Sequence, residues 1–262
     1  MPSETTRDSD DQQIADEVLV GREGAVATVT LHRPEALNAI TPSMLVTLGD
    51  VLQEAADDPD VRVVVLTGSG RAFCAGVDLK ALGDRVLVDG SVGEPLDVPA
   101  RRVTALLSTM PKPTVARVNG HCFTGALELV LACDLAVVVD EAKLGDTHAK
   151  FGLRPTWGMS QRLPRLVGMV RARELSYTAR TFSGAEAAAM GMVTRSVPRD
   201  DLDQAVDELV GALAANSAGS LAAYKDLYRE ALERPLGEGL AYEAATTYPI
   251  PDMGERLAGF GT

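Results

Sequence analysis

The chain has 262 residues, 46% of them hydrophobic and 24% charged, enough for a sizeable core in one domain with an appendage or in two small domains. Its 37 Asp and Glu outnumber 25 Lys and Arg, and the net charge of −12 argues against nucleic acid or an anionic membrane as partner, since both require a basic face. No run approaches the roughly 20 apolar residues of a membrane span, so a soluble, cytoplasmic protein is expected.

Residues 1–13 are polar, acidic and aperiodic, which predicts a disordered tail. Strands are expected over 17–21 and 25–31, where Val26, Thr28 and Thr30 alternate with Ala27, Val29 and Leu31, and 21–24 would form the hairpin. Thr41 and Pro42 read as an N-cap and first helical residue, and Met44, Leu45, Leu48, Val51, Leu52 and Ala55 give the stripe of a helix ending near Asp57. Val63-Val64-Val65-Leu66, in a strand over 61–67, is too uniformly apolar for a half-exposed strand and predicts one buried on both faces.

Residues 83–99, with three glycines and two prolines, read as a long surface loop. Further buried strands are expected over 114–118 and 135–139, the second following a short apolar helix over 126–132. Repeated strand, glycine turn and helix imply an α/β fold. From Asp201 the pattern turns helical, with another helix over 221–232, which predicts a core over 14–198 and a helical region over 199–262. Cys74, Cys122 and Cys133 lie in or beside apolar segments without paired spacing and read as small hydrophobes in a reducing compartment.

Two glycine junctions concentrate the candidate chemistry. Residues 70–80 follow one buried strand directly, and residues 119–128 run from the end of a second strand into a helix. Glycine lets the backbone turn sharply there and leaves N–H groups beyond the turn pointing outward. Two such junctions on neighbouring strands can aim one N–H each at a common point, the arrangement of an oxyanion hole. Ordinary glycine turns would have the same look.

Glu128 adds weight to the first reading. It stands in a helix otherwise made of Ala126, Leu127, Leu129, Val130, Leu131 and Ala132, with no polar face to carry it into water. A buried carboxylate is costly and tends to have a raised pKa, as a catalytic acid or base needs. The alternative is that Glu128, three residues after Gly125, caps the helix start.

The blocks Arg71-Ala72-Phe73-Cys74-Ala75-Gly76-Val77-Asp78-Leu79, Asn119-Gly120 with Gly125 and Glu128, and Gly158-Met159-Ser160-Gln161-Arg162-Leu163-Pro164 resemble signature segments of the enoyl-CoA hydratase/isomerase (crotonase) superfamily. Residues 31–39 resemble its N-terminal block and 182–193 a later one, all in the same order. The resemblance implies an α/β, crotonase-like right-handed spiral of ββα units closed by a C-terminal helical trimerisation region, with assembly as a homotrimer or dimer of trimers. It implies an acyl-CoA thioester as ligand and no separate cofactor, since coenzyme A enters as part of the substrate.

Carried over residue by residue, the resemblance makes the backbone N–H groups of Val77 and Gly125 the oxyanion hole and Glu128 a catalytic glutamate. Arg33, Ala36, Leu37, Ala75, Asp78, Leu79 and Lys80 fall where the family binds the adenine, ribose phosphate and pantetheine portions of coenzyme A. Arg33 and Lys80, as cations in an acidic chain, would anchor phosphates; simple surface solvation is the alternative. The family's second glutamate falls at His148 by gapless counting. An imidazole can replace a carboxylate in acid/base work, Asp146 is a nearby carboxylate that could serve instead, and His148 could equally bind substrate or pack against Phe151. Thr124 and Ala126 replace frequent glycines, and Trp157 stands where small residues are usual.

Other chemistries fit poorly. Gly68 and Gly70 lack the third glycine of a dinucleotide fingerprint, Gly158-Met159-Ser160-Gln161-Arg162 lacks the second glycine of a nucleophile elbow, and no histidine pair has metal-ligand spacing. Three functions remain: hydration of a 2-enoyl-CoA to a 3-hydroxyacyl-CoA, double-bond isomerisation with Glu128 as single acid/base, or non-catalytic acyl-CoA binding.

Overall fold

A computed structural model describes residues 17–81 and 89–259. The expected acidic tail over 1–13 and part of the loop over 83–99 lie outside the described residues. Strands β1 (Val18–Glu23) and β2 (Val26–Leu31) pair antiparallel, with Glu23 opposite Val26 across a turn at Gly24. The turn sits later than the expected 21–24 because β1 continues through Gly21 as an exposed edge strand, and Gly24 has the left-handed φ of +54°. From β2 the sheet continues in parallel through β3 (Val63–Gly68), β5 (Thr114–Val118), β7 (Leu135–Val139) and β10 (Arg195–Val197). All six residues of β3 are buried, as its uninterrupted apolar core requires.

A second sheet holds four short strands in the order β4 (Ala72–Cys74), β6 (His121–Phe123), β8 (Lys143–Gly145) and β9 (Phe182–Ser183). The first three run parallel. Three residues are too few to show alternation, which is why the sequence pattern did not separate them from the turns before them.

Helix α1 (Pro42–Asp57) starts as expected, with the Thr41 side chain accepting from the Met44 N–H at 3.0 Å. The loop reading over 83–99 needs correction: α2 spans Glu94–Thr109. Pro95 is harmless in its first turn, where the N–H has no intrahelical partner, and Leu96, Ala100, Val103 and Leu107 form its buried stripe. Next come α3 (Gly125–Ala132), α4 (Met159–Val167), α5 (Met169–Thr178) and α6 (Gly184–Ala189). The C-terminal region contains α7 (Leu202–Ala215), α8 (Ala218–Glu233), α9 (Leu236–Ala245) and α10 (Met253–Ala258). Chain order thus repeats a strand of the large sheet, a strand of the small sheet and a helix: β3-β4-α2, β5-β6-α3, β7-β8-α4.

Two buried asparagines close the strand-to-strand turns. The Asn38 amide donates to the carbonyls of Ser69 and Ala72 at 2.9 Å and of Phe73 at 3.2 Å. The Asn119 amide donates to the carbonyls of Gly68 and Gly70, both at 2.8 Å. The backbones approach so closely that a Cβ on Gly68 would lie 2.1 Å from the Phe73 oxygen, and one on Gly120 would lie 2.1 Å from the Arg71 oxygen. Among the described residues no helix is long and apolar enough to cross a membrane.

Candidate active site

Because β4, β6 and β8 lie side by side and parallel, the segments leaving their C-terminal ends emerge together. Ala75 to Val77 follows β4, Thr124 and Gly125 follow β6, and Thr147 and His148 follow β8. All of these residues line one cavity of about 140 Å³, which Glu128, Leu79, Phe151, Leu153 and Trp157 also line.

Val77 is fixed by a parallel bridge to Ile40, whose N–H donates to the Gly76 carbonyl and whose carbonyl accepts from the Asp78 N–H. Both bonds use the neighbours of Val77, so its own N–H faces the other way. Gly76 needs to be glycine here: its φ is +98°, and a Cβ would stand 3.0 Å from the Phe123 oxygen. Gly125 is the first residue of α3, where an N–H has no intrahelical acceptor. Neither the Val77 nor the Gly125 N–H has a hydrogen-bond partner among the described residues. Thr124, which introduces α3, has φ 53° and ψ −111°, a glycine-type conformation that is strained in a β-branched residue. Its hydroxyl is held by a short hydrogen bond to Thr147.

Glu128 is 1% exposed and points inward. It does not cap its own helix; Oε1 accepts from the backbone N–H groups of Trp157 at 3.0 Å and Met159 at 2.9 Å. Burial pushes its carboxyl up from 4.5 to about 7, against the opposing pull of the Met159 N–H, His148 and the Trp157 N–H. Oε2, the free oxygen, lies 3.6 Å from His148 Nε2. On the other side of the ring, Nδ1 is 2.7 Å from Asp146 Oδ1. Burial raises the Asp146 carboxyl, but hydrogen bonds from His148 and Ser176 outweigh it and hold the group below the usual carboxylate range. Asp146 therefore stands behind His148 and does not line the cavity.

This geometry accompanies a match of residues 21–259 to the family model described as enoyl-CoA hydratase/isomerase. The chain belongs to the enoyl-CoA hydratase/isomerase family. A protein of Arabidopsis thaliana named "Probable enoyl-CoA hydratase 1, peroxisomal" is 34% identical over 248 residues, 91% of each chain. The crystal structure of an enoyl-CoA hydratase from Bacillus anthracis superposes with a TM-score of 0.85 at 32% identity, covering 93% of this chain and 95% of that one. A chain from Thermobifida fusca YX, solved in complex with acetoacetyl-CoA, matches with a TM-score of 0.81 at 31% identity, covering 95% of this chain and 98% of that one. The ββα repetition and C-terminal helices are thus those of the crotonase fold.

Within this family frame the expected coenzyme A contacts divide. Ala75 and Leu79 line the cavity. Ala36 and Leu37 lie beside it, the Leu37 carbonyl accepting from the Ala75 N–H at 3.0 Å. Lys80 is exposed, its N–H bonded to Asp78 Oδ1 at 3.1 Å. Arg33 is engaged inside the protein: its guanidinium contacts Glu17 and Asp78, each at 3.1 Å, and donates to the Ala39 carbonyl at 2.6 Å. A phosphate would have to compete with those oxygens.

Three residues of the site escaped the sequence reading. Asp97 of α2 is buried, its Oδ1 accepting from the Trp157 indole N–H at 2.8 Å and the Thr156 hydroxyl at 2.7 Å. The Leu96, Ala100, Val103, Leu107 stripe could have revealed its helix. Arg154, at the cavity wall, donates to the Asp89 carbonyl at 2.9 Å. Ser176 of α5 donates to Asp146 Oδ2 at 2.7 Å, a long-range contact with no local signature.

Proposed function

We propose that this chain is a hydratase of 2-enoyl-CoA thioesters in which Glu128 and His148 share the proton work. The observation that carries this reading is the 3.6 Å approach of Glu128 Oε2 to His148 Nε2 inside a cavity also lined by Val77 and Gly125. The N–H groups of Val77 and Gly125 take the thioester oxygen and stabilise the enolate charge that develops on it. His148 Nε2 accepts a proton from water as the new C–O bond forms at C3. Glu128, with a carboxyl that titrates near neutrality, gives its proton to C2. A proton passing from the imidazolium to the Glu128 carboxylate restores the starting state. The acetoacetyl-CoA complex of the Thermobifida fusca relative supports an acyl-CoA ligand. Coenzyme A would run along Ala36, Leu37, Ala75, Asp78 and Leu79, with Lys80, and Arg33 if released from its carboxylates, meeting phosphate.

A second reading, double-bond isomerisation, is favoured by one observation: Glu128 is the one carboxylate among the described cavity-lining residues. Supplying 2-enoyl and 3-enoyl thioesters separately distinguishes the two. Hydration of the first without shift of the second is expected; the reverse selects the isomerase. Glu128→Gln is expected to lower kcat at least about 100-fold with thioester binding retained. Unimpaired turnover would remove Glu128 from the mechanism, and titration showing binding with no product in either series would select a non-catalytic binder.

A further inference from the structure

We infer that Asp146, itself held by Ser176, is a positioning residue that locks His148 in the Nδ1–H form and so presents a bare Nε2 to the cavity. The inference rests on the reading above only in giving that nitrogen a thioester reaction to serve. Its structural ground is a buried chain of contacts running from α5 to α3. The Ser176 hydroxyl donates to Asp146 Oδ2 at 2.7 Å, Asp146 Oδ1 lies 2.7 Å from His148 Nδ1, and His148 Nε2 faces Glu128 Oε2 at 3.6 Å. Asp146 Oδ1 also accepts the His148 backbone N–H at 3.3 Å, which fixes carboxylate and ring to the same short segment.

The placement of the proton follows from donor and acceptor chemistry. Asp146 is 3% exposed and accepts the His148 backbone N–H on Oδ1 and the Ser176 hydroxyl on Oδ2, so it is an ionised carboxylate able only to accept. Nδ1 must then donate. A neutral imidazole has a single N–H, so the lone pair falls on Nε2, the nitrogen that looks toward Glu128. Glu128 from α3 and Asp146 are the charged groups the described residues place against the ring, one on each nitrogen. They have different work. Glu128 lines the cavity and exchanges a proton with the reacting carbon, whereas Asp146 stays behind the ring and stabilises the imidazolium formed when Nε2 takes a proton. His148, Asp146 and Ser176 thus act as one unit, the imidazole at the cavity and the carboxylate and hydroxyl behind it. The 3.6 Å gap is longer than a hydrogen bond; catalytic contacts of this kind tighten when substrate is bound.

The test combines spectroscopy with kinetics. The chain has three histidines, so ¹⁵N-labelled imidazole resonances can be assigned with His32 and His121 variants. In the unaltered protein His148 is expected as Nδ1–H with an unprotonated Nε2; an Nε2–H tautomer overturns the proposal whatever any variant does. Asp146→Asn is expected to move His148 toward the Nε2–H tautomer and to lower kcat on 2-butenoyl-CoA by about 100- to 10,000-fold, with KM unchanged within about threefold. Ser176→Ala should move both readouts in the same direction by less. Full turnover in Asp146→Asn, or loss of turnover with the tautomer unaltered, would reduce Asp146 to a structural role and sink the idea. If the unaltered protein turns over no enoyl thioester, the hydratase reading fails, and the tautomer alone decides where the proton sits.

Discussion

At Glu128 the protein keeps a carboxyl group almost fully buried at the cavity wall, and the consequence for stability has a definite sign. An unfolded glutamate loses its proton near 4.5, whereas burial lets this one keep it to about 7. Between those values the folded chain binds a proton that the unfolded chain has released, so this residue's contribution to stability falls as pH rises through that window and levels off above it. The charges around it are His148 and Asp146, with Arg162 farther off. Glu128→Gln removes the titration. The variant is expected to melt on the order of 5 °C higher than the parent at pH 8, with the gap closing by pH 4, as differential scanning calorimetry would show. An equal gap at both pH values would mean the carboxyl does not titrate differently on folding.

Among the elements, the short parallel strands β4, β6 and β8 do the positioning. Their register depends on turns tight enough to bring backbone against backbone, and Asn38 supplies the donors that make this tolerable by satisfying three carbonyls at once. Asn38→Ala leaves those carbonyls without their donor and places alanine at a φ of +57°. A loss of about 2–4 kcal/mol is expected in urea denaturation, with a larger fall in activity than its stability alone explains, because the Ala75 to Val77 segment follows directly. Trp157 is the other fixed point. A Cβ on Gly125 would stand 2.4 Å from its ring, so indole and glycine define each other, and Asp97 holds the indole from α2. The backbone N–H of the same tryptophan holds Glu128, so the wall of the cavity and the orientation of the acid are set together.

Over the whole molecule, the C-terminal helices leave large apolar side chains uncovered in the single chain. Tyr224, Tyr228 and Leu232 on α8, Leu236 and Leu240 on α9, and Leu257 on α10 are all exposed, Leu236 at 79%. We propose that a second and third copy of this chain cover these side chains, giving a homotrimer. Leu236→Glu with Leu240→Glu is expected to shift sedimentation velocity from trimer to monomer while circular dichroism stays unchanged. A parent that sediments as a monomer would overturn the assignment.

The local sequence determined the pieces whose signal is near neighbours. The run Val63-Val64-Val65-Leu66 fixed a strand buried on both faces, Thr41-Pro42 fixed a helix start, and the apolar surroundings of Glu128 fixed its burial and direction. The α2 helix was hidden by Pro95 and Pro99, which resemble loop residues; Pro95 lies in the first turn, whereas Pro99 is carried inside the helix. Tertiary structure alone decided the rest. The sequence left His148 and Asp146 as competing replacements for one carboxylate; pairing β8 beside β6 put the imidazole in the cavity and the aspartate behind it. Ser176, Asp97 and the binding of Arg33 by Glu17 and Asp78 are contacts between residues far apart in the chain. Hydrogen bonds of that kind depend on how elements pack, and a periodic pattern of apolar residues specifies which face is buried without specifying which polar groups meet there.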